Sequence, residues 1–226
     1  MTNRVRSILE QLEQTREDLL ALSDDIWLSI DHNDGDALDA GVEFKRRYNA
    51  KMAELDTLAS ELSGLVQEFT AVKLDDAENG GAQTPQARDR VVRDLDQREP
   101  HGIDEDFTFK RPYGFRLGDN AKSDIKSWRR LFELVCFQLA AEHPERFATL
   151  PDEPRFTSSR GRPYMARDPQ AVRMPVALPS GVYAEAHMSA NGLRDQIRAL
   201  LDTFGIDHGT LRIYLRQDRD AEANLT

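Results

Sequence analysis

Apolar and small residues recur through the first 70 positions in steps of three and four, and no other feature of this chain limits its possible folds as strongly. Val5, Ile8, Leu12, Thr15, Leu19, Leu22, Ile26 and Ile30 form one series, and Tyr48, Met52, Leu55, Ala59, Leu62, Val66 and Phe69 form a second. Such spacing sets each series on one stripe of an α-helix, at the a and d positions of a heptad. Between them lies Asp31-His32-Asn33-Asp34-Gly35-Asp36, where Asp34 or Asp36 can accept the first free amides of the next helix. A connection this short makes the helices antiparallel neighbours. Residues 1–72 are therefore expected to form a coiled-coil-like antiparallel helical hairpin, roughly 45 Å long at ~1.5 Å per residue. Two helices alone bury little surface, so the hairpin is expected to oligomerise or to dock another protein.

Charge divides the chain unevenly. The total is −10 over 226 residues, but residues 1–106 carry 12 Lys and Arg against 25 Asp and Glu. Residues 107–180 reverse the balance, 13 against 8, and residues 181–226 return to 5 against 7. A basic middle third in an acidic chain points to an anionic partner and says nothing of the fold. Mean hydropathy is −0.61, and no apolar run approaches the ~20 residues of a membrane span. Met1 to Gln14 lacks the apolar stretch of a signal peptide, and the single Cys136 excludes an internal disulfide, so a cytoplasmic location is expected. Cys136 sits among Leu134, Val135 and Phe137 and reads as a small buried hydrophobe.

Residues 73–106 are acidic and rich in Gly and Pro, with a short helix expected around Ala87 to Leu95; they read as a linker. Residues 107–217 read as a small α+β domain, with 218–226 as a tail. Phe107 to Arg111 and Tyr113 to Leu117 suggest short strands. A helix carrying Ile125, Trp128, Phe132, Val135 and Leu139 on one face must end before Pro144, which suits the first turn of a short helix to Leu150. Residues 151–181 are extended and irregular. Val182 to Met188 alternates as a half-buried strand, Ser189 can cap a helix with Leu193, Ile197, Leu200, Leu201 and Phe204 inside, and Gly205 stops it. Leu211, Ile213 and Leu215 alternate with Arg212, Tyr214 and Arg216 as a last strand. The expected architecture is α+β, with helices on one face of a mixed or antiparallel sheet.

The chemistry suggested by these residues is mainly cationic. Lys110, Arg111, Arg116, Lys126, Arg129 and Arg130 gather around the first strands and helix start, while Arg155, Arg160, Arg162 and Arg167 line the extended segment. Arginine forks donate two hydrogen bonds to a phosphate, so these ten residues are the candidate contacts to DNA or RNA. Arg160-Gly161-Arg162-Pro163 matches the core of a minor-groove Arg-Gly-Arg motif, though Tyr164-Met165 follows rather than further basic residues. Tyr183 with Arg212, Tyr214 and Arg216 would form a stacking platform if their strands were neighbours. Glu185 and His187 share a strand face as a conceivable acid/base or metal pair. Asp31, Asp34 and Asp36 resemble a calcium loop but lack the closing Glu, since position 42 is Val. Phosphate-binding, dinucleotide, zinc-protease, nucleophile-elbow and nuclease patterns are missing from the sequence, so no cofactor, metal or catalytic residue is assigned.

Ser127-Trp128-Arg129-Arg130-Leu131 running to Val135-Cys136, then Arg162-Pro163-Tyr164 with Arg167-Asp168-Pro169, then Tyr183-Ala184-Glu185 before Ser189-Ala190-Asn191, resembles a C-terminal module of uncharacterised prokaryotic proteins. Some of those proteins accompany restriction or mobile-element defence genes. The resemblance spans about residues 107 to 216 and implies a nucleic-acid-associated or defence-linked role, without assigning site residues. The leading expectation is thus a non-enzymatic accessory protein of DNA or RNA. A protein-interaction adaptor without nucleic-acid binding is the alternative, and a metal-dependent enzyme around Glu185 and His187 the third.

Overall fold

The structure is a computed structural model that describes residues 2–70 and 85–217, and it separates into two units divided between Ala77 and Glu78. Expectations for residues 71–84 and for the 218–226 tail fall outside the described residues.

The first unit is the expected helical hairpin, α1 (Thr2–Leu28) and α2 (Gly35–Thr70). Asp34 fixes the start of α2, its carboxylate accepting from the amides of Asp36 at 2.9 Å and Ala37 at 3.2 Å. The two helices meet through polar groups. Tyr48 donates its hydroxyl to the Leu19 carbonyl at 2.9 Å, and Lys45 reaches Ser23 and Asp24, each at 2.8 Å. Arg16 lies 3.7 Å from Asp56, both nearly out of solvent. The facing set of α1 is accordingly displaced from the apolar seam by one residue. Leu9, Arg16, Leu20 and Ser23 are buried where Ile8, Thr15, Leu19 and Leu22 were expected, and Ile8, Thr15 and Leu22 are exposed. One residue is ~100° of helix rotation, so the expected α1 seam turns to the side of the hairpin, while the α2 series keeps Met52 buried and Tyr48 bonded to α1.

The second unit carries one continuous core beneath a four-stranded antiparallel sheet. Its strands are β1 (Pro100–His101), β2 (Pro112–Leu117), β3 (Asn120–Lys122) and β7 (Leu211–Leu215), in the order β1-β7-β2-β3. Phe115 pairs with Ile213 and Leu117 with Leu211, so these side chains share the inner face. Against it pack α4 (Trp128–Glu142) and α6 (Ala190–Phe204), which bring Trp128, Phe132, Val135, Leu139, Leu193, Ile197, Leu200 and Leu201 into the core. Local signals fix both helices. Ser127 and Ser189 cap them, and Gly205 ends α6 in the left-handed region at φ 68°. Pro144 stops α4 and opens α5 (Pro144–Ala148).

The remaining strands form a separate sheet, β4 (Met165–Ala166), β6 (Tyr183–Glu185) and β5 (Pro175–Ala177) in the order β4-β6-β5, again antiparallel. Five expectations change here. Two sheets, both antiparallel, stand where a single mixed or antiparallel sheet was expected. Helices also lie on both faces of the larger one, because α3 (Pro85–Leu95) covers its outer side with Leu95 against Tyr214 and Ala121. Residues 85–106 therefore belong to the folded unit, with Leu95 and Ile103 buried, and are no linker. Finally, Phe107 to Arg111 is a turn before β2 and not a strand, and β6 is shorter than its alternating pattern suggested.

Candidate interaction surfaces

The ten cationic candidates do not make one face. Arg167 is held in a two-pronged pair by Asp152 at 2.6 and 2.7 Å, and Arg155 meets Asp202 at 3.2 Å. Arg129 and Arg130 converge on opposite oxygens of Glu133 at 3.0 and 3.1 Å, and Lys126 is bound by Asp124. Five of the ten thus have a carboxylate beside them. The pairs of Arg155 and Arg167 are exposed and weak, so a phosphate can still compete for those two cations, whereas Arg129 and Arg130 are held by the buried Glu133. Arg116 stands directly across from Arg212 on the outer face of the sheet, and the charges of both act on Tyr214. Arg160 and Arg162 cap a tight turn, in which Thr157 bridges Pro163 and the Arg162 amide donates to Ser158 Oγ at 2.9 Å. Both arginines are exposed, and neither meets a carboxylate among the described residues.

Lys110 and Arg111 sit at the start of α4, because Trp128 donates its indole N–H to the Lys110 carbonyl at 2.8 Å. The turn they occupy is clasped from α6. Asn191 accepts from the Phe107 amide at 2.9 Å and donates to Asp106 at 2.7 Å and Thr108 at 2.9 Å. Asp106 also accepts from the Thr108 amide and hydroxyl, and these bonds, led by that from Asn191, hold its carboxyl down at about 2. The clasp presents Phe109, half exposed and held in the left-handed backbone region at φ 55°. Non-glycine residues pay about 1–3 kcal/mol for such a conformation, and it persists only where the surroundings impose it. The alternation around Phe109 reads as strand in the sequence, and no local signal marks it.

Other candidates resolve into structural roles. Tyr183 lies in the smaller sheet and Tyr214 is buried under α3, so the stacking platform does not form. Glu185 is buried, and its two oxygens accept the amides of Arg173 and His187, each at 2.7 Å, and of Met174 at 3.4 Å. A carboxylate so engaged closes the chain around β5 and β6. Asp31 and Asp34 cap backbone amides of their own loop, and among the described residues no group of three or more His, Cys, Asp or Glu is placed to hold a metal. Cys136 is fully buried and burial pushes its thiol well up, which fits an inert core residue.

The surface that stands out is apolar. Among the described residues eight large hydrophobic side chains are exposed, and seven are on the hairpin: Ile8, Leu22, Leu28, Leu58, Leu62, Leu65 and Phe69. Four of these follow one another along α2 in steps of four, three and four, with exposures of 54, 48, 62 and 90%. At ~100° per residue they form one stripe, set to the side of the contact with α1. In an antiparallel pair the same geometry turns Ile8 and Leu22 to that side as well. Leu58 and Leu65 lie outside the heptad series, although the four-three-four spacing was there to be read.

The chain matches no family model, no curated protein and no solved structure. No helix among the described residues is long and apolar enough to cross a membrane.

Proposed function

We propose that this is a non-enzymatic accessory protein that works by association, with the acidic hairpin as its docking end. The observation that carries the reading is the concentration of exposed apolar side chains on one side of α1 and α2, while among its described residues the C-terminal unit leaves only Phe109 of its large hydrophobics outside. Proteins that act alone rarely leave so continuous an apolar side in water. A photo-crosslinking side chain placed at Leu62 in the full chain, in cells, is expected to give a discrete protein adduct, and one placed at Arg160 none. Adducts from position 160 alone would reverse the assignment of ends.

A second reading, contact with DNA or RNA phosphates, is favoured by the Phe109 turn. There an exposed aromatic stands beside Lys110 and Arg111, with Lys126, Arg129 and Arg130 at the adjoining start of α4. On this reading the cations take phosphate and Phe109 offers a face to an unpaired base. The defence-linked setting suggested by the C-terminal resemblance belongs with this reading. An electrophoretic titration with single-stranded and duplex polynucleotide tests it. Binding that weakens steeply with salt and drops on Lys110→Glu supports it, and binding absent at low salt removes it.

A further inference from the structure

We infer that the partner seated on the open side of the hairpin is an amphipathic helix whose apolar stripe is flanked by lysine or arginine. This rests on the reading of the hairpin as the docking end and adds the chemistry of what docks there.

Three observations lead to it. The first is shape. Leu58, Leu62, Leu65 and Phe69 repeat with the spacing of a heptad seam, the pattern that accepts the side chains of one further helix laid along the groove between α1 and α2. Ile8 on α1 supplies the far wall, since pairing of Arg16 with Asp56 sets it level with the region of Leu62 and Leu65.

The second is the charge that borders the stripe. Glu61 and Glu68 are seven residues apart and lie along the edge of α2 that faces away from α1. Both are exposed, and neither meets a cation among the described residues. They run alongside Leu58, Leu65 and Phe69 over two turns, in the places that choose partners in paired helices through opposite charge. Residues 2–70 as a whole hold seven Lys and Arg against fifteen Asp and Glu, net −8. The field around the stripe therefore draws a cationic helix and speeds its arrival.

The third is the poor match of the stripe to itself. A second copy brings another −8. In the antiparallel register, where Leu58 meets Phe69 and Leu62 meets Leu65, Glu61 and Glu68 of the two copies fall on the same side of the seam and repel. Apolar contact favours pairing of two copies while this edge opposes it, whereas a basic helix satisfies both.

The test uses the full chain and two synthetic peptides of about three heptads, one built from leucine and lysine and the other from leucine and glutamate. The lysine peptide is expected to bind at least about tenfold more tightly than the glutamate peptide. Leu62→Asp with Leu65→Asp should abolish that binding, and Glu61→Lys with Glu68→Lys should reverse the preference. Reversal is decisive because a misfolded variant cannot produce it. Equal binding of both peptides, lost on Leu62→Asp with Leu65→Asp, overturns the charge rule and leaves the docking end intact. A dimer in sedimentation that excludes both peptides and dissociates on the leucine substitutions overturns the inference in favour of a second copy. Binding of neither peptide by a monomeric chain overturns the inference together with the docking end.

Discussion

The hairpin and the C-terminal unit solve the burial problem in opposite ways. In the C-terminal unit, aromatic and aliphatic residues from α4, α5, α6 and both sheets close into a single cluster, with Trp128, Phe107, Phe115, Phe132 and Phe147 fully buried. The hairpin buries Leu9, Leu20, Ala21 and Met52 as its only hydrophobic side chains among the described residues, and joins its helices with Arg16, Asp56, Lys45, Ser23 and Tyr48. Polar contacts of this sort contribute little net stability, since each group gives up water to form them. They do fix which faces meet. By spending its inner face on polar contacts, the hairpin leaves its apolar residues outside, and this difference between the units locates the docking end.

The comparison can be broken at several points. Trp128→Ala should cost the C-terminal unit about 4 kcal/mol by emptying the middle of its core, read as a lower midpoint in urea denaturation. Arg16→Met should cost about 3 kcal/mol by leaving Asp56 buried without that neighbour, while Arg16→Met with Asp56→Leu should restore or raise stability. A double variant weaker than the single would show that the polar seam holds the hairpin together by itself. Gly114→Ala should cost roughly 1–3 kcal/mol, because an added Cβ would stand 2.5 Å from the Lys122 carbonyl oxygen and 2.8 Å from Leu95. That cost sharpens the claim that α3 is seated on the sheet.

The smallest effect is one of pH. Tyr113 is held up at about 12, first by burial and then by its hydrogen bond to Asp94, with the Arg98 guanidinium stacked 3.3 Å over its ring. A raised folded-state value means that the folded chain keeps the proton longer than the unfolded one. The stabilisation is then fully present below about 10 and is lost as pH rises toward 12. Tyr113→Phe should flatten that alkaline loss in thermal melts recorded across the range.

Much of the fold was legible because its signals are local. Pro144, Ser189 and Gly205 mark ends of α4 and α6, and alternation marks β7, whereas the apolar pattern passes over the cap at Ser127, and Ile125, expected on α4, lies before it. What escaped depends on distant partners. The turn at Phe107 to Arg111 is imposed by Asn191, 84 residues from Phe107, against a pattern that reads as strand. The facing set of α1 includes Arg16 and Ser23, which a count of apolar positions passes over. Clustering of arginines in the sequence did not become clustering on a surface, since Arg155 and Arg167 find carboxylates from other segments in Asp202 and Asp152.

Whether apolar surface is open to water on the hairpin can be measured directly, with a dye that brightens on apolar protein surface, added to the full chain at neutral pH. A clear rise in emission is expected, falling by more than about half in Leu62→Asp with Leu65→Asp, with the melting temperature unchanged because both leucines are exposed. No rise, or a rise that both substitutions leave intact, would contradict an open apolar side.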